Sequence, residues 1–305
     1  ELIDDVTLYS AKLIIPVTGP VIIDGAVAIH GDRVVHVGKR RWVLKALKQE
    51  MTAHGTIHER HWDGVLTPGL INAHTHLQYS GMVQVGQGTY DRFRAWELAF
   101  NEVYAEAQKT QPWKQWAEDG ARQMVESGTT AAADIVTDLD AAGALASQGM
   151  HGIAYWEVMG WHNAEWMEKG RTELIRQLRR MNEEQLPNLG ISPHAPYTLE
   201  SEPFVDLPDI ARQLNMRLHI HLAETPLEAG TYPPVLTTYS AADWSDHDWE
   251  SYRQLKEVGK GASAIQFVDQ LGSLGPDVHI AHGVWANGED RRILRQRGVG
   301  VALCP

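Results

Sequence analysis

The chain has 305 residues, enough for one large domain or one with a small companion, and its 43% hydrophobic content is ordinary for a globular protein. Its 27 basic against 39 acidic residues leave a net charge of −12, which argues against nucleic acid as a partner, because phosphate contacts need clustered Lys and Arg. One cysteine, Cys304, excludes a disulfide framework and Cys-rich zinc modules, and no apolar run reaches the roughly 18 residues of a membrane span, so a cytoplasmic protein without membrane contact is expected.

Residues 1–66 read as short β-strands, the N-terminal part of a small antiparallel β-sandwich domain. Residues 6–9, 12–15, 25–29 and 33–37 are β-branched and partly alternating, with turns at Gly19-Pro20, Asp24-Gly25 and Gly31-Asp32. These strands are too few to bury both faces alone. His54, His58 and His61 read as surface residues. A second domain is expected over 67–305. It opens on an apolar run, 66–77, punctuated by Pro68-Gly69 and ending in His74-Thr75-His76.

Beyond it, 80–89 reads as a Gly-rich loop. Residues 90–109 read as a helix with Phe93, Trp96, Phe100 and Tyr104 on one face, and 112–127 as a second helix closed by Gly128. Strand 129–136, helix 139–148, strand 152–158, helix 171–184, strand 189–192, helix 206–215 and strand 217–222 follow. A polar segment, about 226–261, breaks the rhythm; its aromatic residues and Pro233-Pro234 suggest an ordered loop or lid. Helix 264–270, strand 278–282, helix 290–297 and strand 299–303 complete the chain.

From the His-x-His strand onward, seven strands alternate with helices, which means a parallel sheet. The expected fold class is α/β, a (β/α)8 TIM-like barrel lacking its eighth strand in this sequence. A doubly wound open sheet is the alternative, but no glycine-rich dinucleotide fingerprint follows any strand.

Residues two apart on a strand face one side, so His74 and His76 can point at one ion. Strand ends also carry His194, His221 and His282, where barrel enzymes place their chemistry. A mononuclear site needs three or four protein ligands and an open position, and His74, His76 and His221 supply three. One divalent ion is expected, zinc first, with Fe2+ or Mn2+ as alternatives. Such an ion brings the pKa of its water towards about 7. Glu224, three residues past His221, can pass a proton from nucleophile to leaving group. A two-metal site bridged by a modified lysine would need a lysine at the end of the fourth strand, and Gly190-Ile191-Ser192-Pro193-His194 has none.

The stretches Pro68–Leu77, Ser192–Tyr197, His221–Thr225 and Ala281-His282-Gly283 resemble the amidohydrolase superfamily, in the chlorohydrolase and aminohydrolase branch with S-adenosylhomocysteine, guanine and aminodeoxyfutalosine deaminases. The resemblance implies metal ligation by His74, His76 and His221 and proton transfer by Glu224. It implies that His282 holds the nucleophile and the reacting group, and that His194 contacts the substrate. Gln78, in His76-Leu77-Gln78-Tyr79, joins His194 as a candidate substrate contact. It further implies hydrolytic deamination of an amino-substituted aromatic ring, a purine or nucleoside-like small molecule, with a lean towards aminodeoxyfutalosine. Metal-bound hydroxide is the nucleophile on this reading. Hydrolysis of another C–N or C–Cl bond and an inactive metal-binding relative are the alternatives. A homodimer is an open expectation.

One departure from the family pattern stands out. The aspartate ligand expected at the end of an eighth strand is absent, and Asp134 and Asp277 fall on other strands. The natural protein is therefore expected to continue past Pro305 by at least roughly one hundred residues, with that aspartate among them.

Overall fold

The computed structural model describes residues 2–304 apart from 92, 184, 185, 187, 231–254 and 256. Two compact units are present, Glu1–Leu70 and Ile71–Pro305.

The first unit is a four-stranded sheet in the order β3-β2-β1-β4. It comprises β1 (Ile3–Ile14), β2 (Ile22–His30), β3 (Arg33–Lys39) and β4 (Met51–Leu66), with helix α1 (Arg40–Glu50) between the last two. Three features differ from the sequence reading. β1 is one continuous strand where two were expected, because Ser10 and Ala11 stay in register with Ala26 and Gly25. α1 and β4 were not anticipated. Val43 and Leu47, four apart on α1, bury one helical stripe against Val6, Leu8, Ala26 and Ala28. β1 and β4 run parallel, so the sheet is mixed rather than antiparallel throughout.

The second unit holds seven strands, β5 (Leu70–Thr75), β6 (Thr129–Val136), β7 (His151–Val158), β8 (Leu189–Pro193), β9 (Arg217–Leu222), β10 (Val278–His282) and β11 (Gly300–Leu303). They lie in simple sequential order, and the registers of β6 to β11 are parallel. Sequential parallel order with intervening helices is the barrel winding. The sheet curls far enough that His74 on β5 meets His219 on β9, four strands away, at 2.9 Å.

The helices are α2 (Phe93–Ala107), α3 (Trp113–Glu126), α4 (Arg171–Glu183), α5 (Ser201–Gln213), α6 (Ala264–Gln270) and α7 (Gly288–Arg297). Leu174, Leu178, Phe204, Leu207 and Phe267 from these helices pack with Ile191, Leu218, Ile220 and Ile280 from the strands in one core. Gly128 ends α3 with φ +85°, the left-handed position that stops a helix.

Local departures are small. Residues 80–89 include a helical turn, Val83–Gly86, instead of an uninterrupted loop. The helix expected over 139–148 is broken into Leu139–Ala141 and Ala144–Ser147. The expected ordered loop or lid at 226–261 falls mostly outside the described residues; its first part, Pro226–Glu228, is a 3-10 turn. Among the described residues no helix is long and apolar enough to cross a membrane.

Candidate metal centre and active site

The C-terminal ends of the parallel strands converge on one cluster of histidines. His74, His76 and His221 each offer a ring nitrogen, and these atoms lie within 4.8 Å of one another. His76 Nε2 and His221 Nε2 are 3.3 Å apart. The rings of His74 and His282 are centred 5.2 Å apart, and those of His194 and His221 4.6 Å apart. The sequence-derived histidines are thus brought together.

Backbone bonds fix the strand ends. His194 donates its N–H to Val158 O and accepts the His221 N–H, both at 2.9 Å, which ties β7, β8 and β9 together at the rim. Beyond β9 and β10 the chain turns sharply. Ala223 has φ +54° and His282 φ +74°, left-handed conformations that non-glycine residues rarely adopt. Two bonds hold the turns side by side, from Gly283 N to Leu222 O and from Trp285 N to Ala223 O, both 2.9 Å. The ring of His282 lies in the cluster, 5.4 Å from that of His221.

The electrostatics suit a cation. Burial lowers the pKa of His76 to about 4, with His282 adding to the effect. Burial also lowers that of His194 to about 3 and that of His221 well below the ordinary value, and mutual repulsion reinforces both. All three rings are neutral at pH 7 and keep a lone pair for a ligand. The Nε2 atoms of His76 and His221, 3.3 Å apart, converge as two ligands of one ion would, and His282 Nε2 is buried beside them without a hydrogen-bond partner. Borderline-soft imidazole donors of this number fit zinc.

Glu224 lies beside the cluster. Its Oε1 is 3.4 Å from His282 Nε2, and its Oε2 accepts the Tyr197 hydroxyl at 2.8 Å. His194 Nδ1 is 2.8 Å from Thr198 Oγ1, which leaves its other nitrogen for the site. Gln78 is buried with its amide turned to Thr137, whose N–H its oxygen accepts at 2.9 Å. Asp134 is buried and accepts the Leu77 N–H at 2.8 Å; Asp277, just before β10, pairs with Arg212 at 2.8 Å.

Sequence reasoning passed over several residues here. Glu157, on β7, is buried with Oε1 unpartnered, and forms a second possible ligand group with His194 and His221. Burial and the Glu224 charge push its carboxyl up to about 8. The signal was a lone carboxylate in an apolar strand, Tyr155-Trp156-Glu157-Val158. Glu228 is fully buried and accepts the N–H groups of Ala223, Glu224 and Thr225 at 3.0, 2.8 and 2.9 Å. Its signal was Thr225-Pro226-Leu227-Glu228, a capping box with proline at the first helical position. An aromatic row flanks the site. Tyr79 stacks on His76 at 5.6 Å, Phe100 meets Tyr79 edge-on at 5.1 Å, and Phe93 stands 6.1 Å from Tyr197.

The amidohydrolase family model matches residues 65–232. The chain belongs to the amidohydrolase family. The 5-methylthioadenosine/S-adenosylhomocysteine deaminase of Thermococcus kodakarensis is 30% identical over 247 residues, 79% of this chain and 51% of that protein. Among solved structures, an adenosine deaminase from Xanthomonas campestris with bound zinc superposes with a TM-score of 0.70 at 21% identity, over all of this chain and 63% of the other. Helicobacter pylori aminofutalosine deaminase, in complex with methylthio-coformycin, gives 0.71 at 17% identity, over 98% of this chain and 70% of the other. At these identities the two structures show the fold alone. This amidohydrolase chain spans half to three-fifths of the length of the curated relatives it matches.

Proposed function

We propose that the protein is a zinc-dependent aminohydrolase that deaminates the adenine-type ring of a nucleoside. The observation that carries the reading is the neutral histidine cluster with Glu224 oriented at its edge by Tyr197 and His282. The methylthioadenosine/S-adenosylhomocysteine deaminase relative supports the substrate class.

On this reading His74, His76 and His221 hold one divalent ion. Bound there, zinc would make a water acidic near neutral pH and act as a Lewis acid. Water adds to the ring carbon bearing the amine, and the C–N bond breaks to give the oxo ring and ammonia. Glu224 takes the two protons of the water in turn, passing the first to the ring nitrogen and the second, from the hydroxyl of the adduct, to the departing amine. The Tyr197 hydroxyl donates to Oε2, so that traffic falls to Oε1, which lies on the His282 side. His282 Nε2, buried and unpartnered, faces the oxygen that forms and stabilises its charge. His194 presents its free nitrogen to the substrate. Gln78 would reach substrate only by exchanging its bond to Thr137. Tyr79, Phe93 and Phe100 give a planar ring an apolar wall. With one cysteine, the protein suits a cytoplasmic setting.

The test is ammonia release across a panel of 5′-deoxyadenosine, methylthioadenosine, S-adenosylhomocysteine, aminofutalosine, guanine and aminotriazines. Turnover of adenine nucleosides is expected. Turnover confined to triazines, or none with a fully loaded protein, would reject the reading.

A further inference from the structure

Behind His74 stand two more histidines. His74 Nδ1 is 2.9 Å from His219 Nε2, and His219 Nδ1 is 3.2 Å from His279 Nδ1. The planes of the His74 and His219 rings lie within 11° of each other with centres 5.0 Å apart, the edge-to-edge arrangement that an in-plane bond between ring nitrogens gives. His219 is fully buried, and His279 is half-buried. His219 and His279 are register partners on β9 and β10, one pleat step below His221 and Ala281.

The neighbouring strands keep space for this layer. Gly300 pairs with His279 on β11, and a Cβ there would lie 2.5 Å from His279 Cδ2. A Cβ at Gly190 would lie 2.4 Å from the Tyr155 ring, which packs on His219 at 5.1 Å. The three rings are thus a packed feature of the barrel interior.

A neutral imidazole has one N–H and one lone pair. Nδ1 of His74 faces His219, so an ion must use Nε2, and the hydrogen of His74 must sit on Nδ1. His219 then accepts at Nε2 and carries its own hydrogen on Nδ1. That hydrogen needs an acceptor, and His279 Nδ1 supplies it, with the hydrogen of His279 on Nε2. A carboxylate or carbonyl behind a metal ligand can only accept. An imidazole can also donate, and a donating His219 would leave His74 with its hydrogen on Nε2, pointing where an ion would sit. His279 removes the penalty of an unpaired buried N–H from the ion-ready order.

We propose that His219 and His279 are positioning residues that hold His74 in the metal-binding tautomer. The proposal rests on the metal-site reading above. Two measurements test it. In zinc-loaded protein carrying 15N-histidine, long-range 1H–15N spectra distinguish the tautomers, and His219 is expected as Nδ1–H. Zinc affinity, read by competition with a chromophoric chelator, is expected to fall roughly 10–100-fold in His219→Phe, the usual effect of losing a partner behind a ligand. His219→Gln, whose amide oxygen can stand where Nε2 was, should recover most of the affinity, and His279→Phe should lose less than His219→Phe. Unchanged affinity in His219→Phe, or His219 as Nε2–H in the loaded protein, overturns the positioning role while leaving the metal reading intact. Wild-type protein that binds no zinc overturns both. If His219→Phe does not fold, the wild-type spectrum decides alone.

Discussion

Replacing Glu228 with alanine should unmake the turn that presents Glu224. The Glu228 carboxylate is fully buried and is the shared acceptor of three consecutive N–H groups, those of Ala223, Glu224 and Thr225. Ala223 sits in the left-handed region at φ +54°, so the turn needs those bonds to persist. Burial and the neighbouring Glu224 charge push the Glu228 carboxyl up to about 8, while the three backbone donors pull it down. A buried donor left without a partner costs about 1–3 kcal/mol, so the loss should reach roughly 3 kcal/mol or more. That is a large part of the ~5–15 kcal/mol that holds a domain together. Urea unfolding followed by circular dichroism reads the stability, and ammonia release reads the rate. The rate should fall with Glu224 displaced, whereas zinc binding should persist because His74, His76 and His221 do not depend on this turn. A Glu228→Ala protein within ~1 kcal/mol of wild type and fully active would refute the clamp.

Other expectations follow from the same geometry. Glu224→Gln should keep its metal and lose roughly 10²-fold or more in rate, the scale of one acid–base group; an unimpaired variant would contradict proton transfer by Glu224. Tyr197→Phe removes the 2.8 Å bond to Glu224 and should slow turnover about tenfold, or ~1.4 kcal/mol, with zinc affinity unchanged. His76 at about 4, and His194 and His219 at about 3, are held below their unfolded value of 6.5 chiefly by burial. The unfolded chain therefore binds more protons, and stability present above pH 6.5 should drain as pH falls towards 4 and then 3, at up to ~1.4 kcal/mol per pH unit for each group. A urea midpoint of zinc-free protein that is flat between pH 7 and 4 would speak against the buried neutral rings. Gly152→Ala would place a Cβ 2.0 Å from Ala132 O at φ +139°, and should cost about 2 kcal/mol or more in a denaturant titration.

The barrel was legible because its strands are short, apolar and separated by helices of the right length, and because residue types repeat at strand ends. His74, His76 and His221 could be paired from sequence since period-two spacing and strand ends are local signals. The site's supports were harder to see, because they are distant contacts. Tyr197 and Glu224 are 27 residues apart, and His74 and His219 are 145 apart. His219 stands two residues before His221 and could have been noticed as a second His-x-His, but nothing local says which histidine faces the ion. Helix α1 went unread although Val43 and Leu47 carry its spacing, because the strand-like segments before it set the reading of the whole stretch 1–66. β4 went unread because its polar, histidine-rich face resembles a loop, and its pairing is with β1, about fifty residues earlier.

The central claim is that one ion, held by His74, His76 and His221, is required for deamination. Elemental analysis of purified wild type and His76→Ala, run beside ammonia release from methylthioadenosine on the same samples, tests it directly. About one zinc per wild-type chain with turnover is expected, and neither metal nor turnover in the variant. Full turnover by a His76→Ala protein that contains no metal would contradict it.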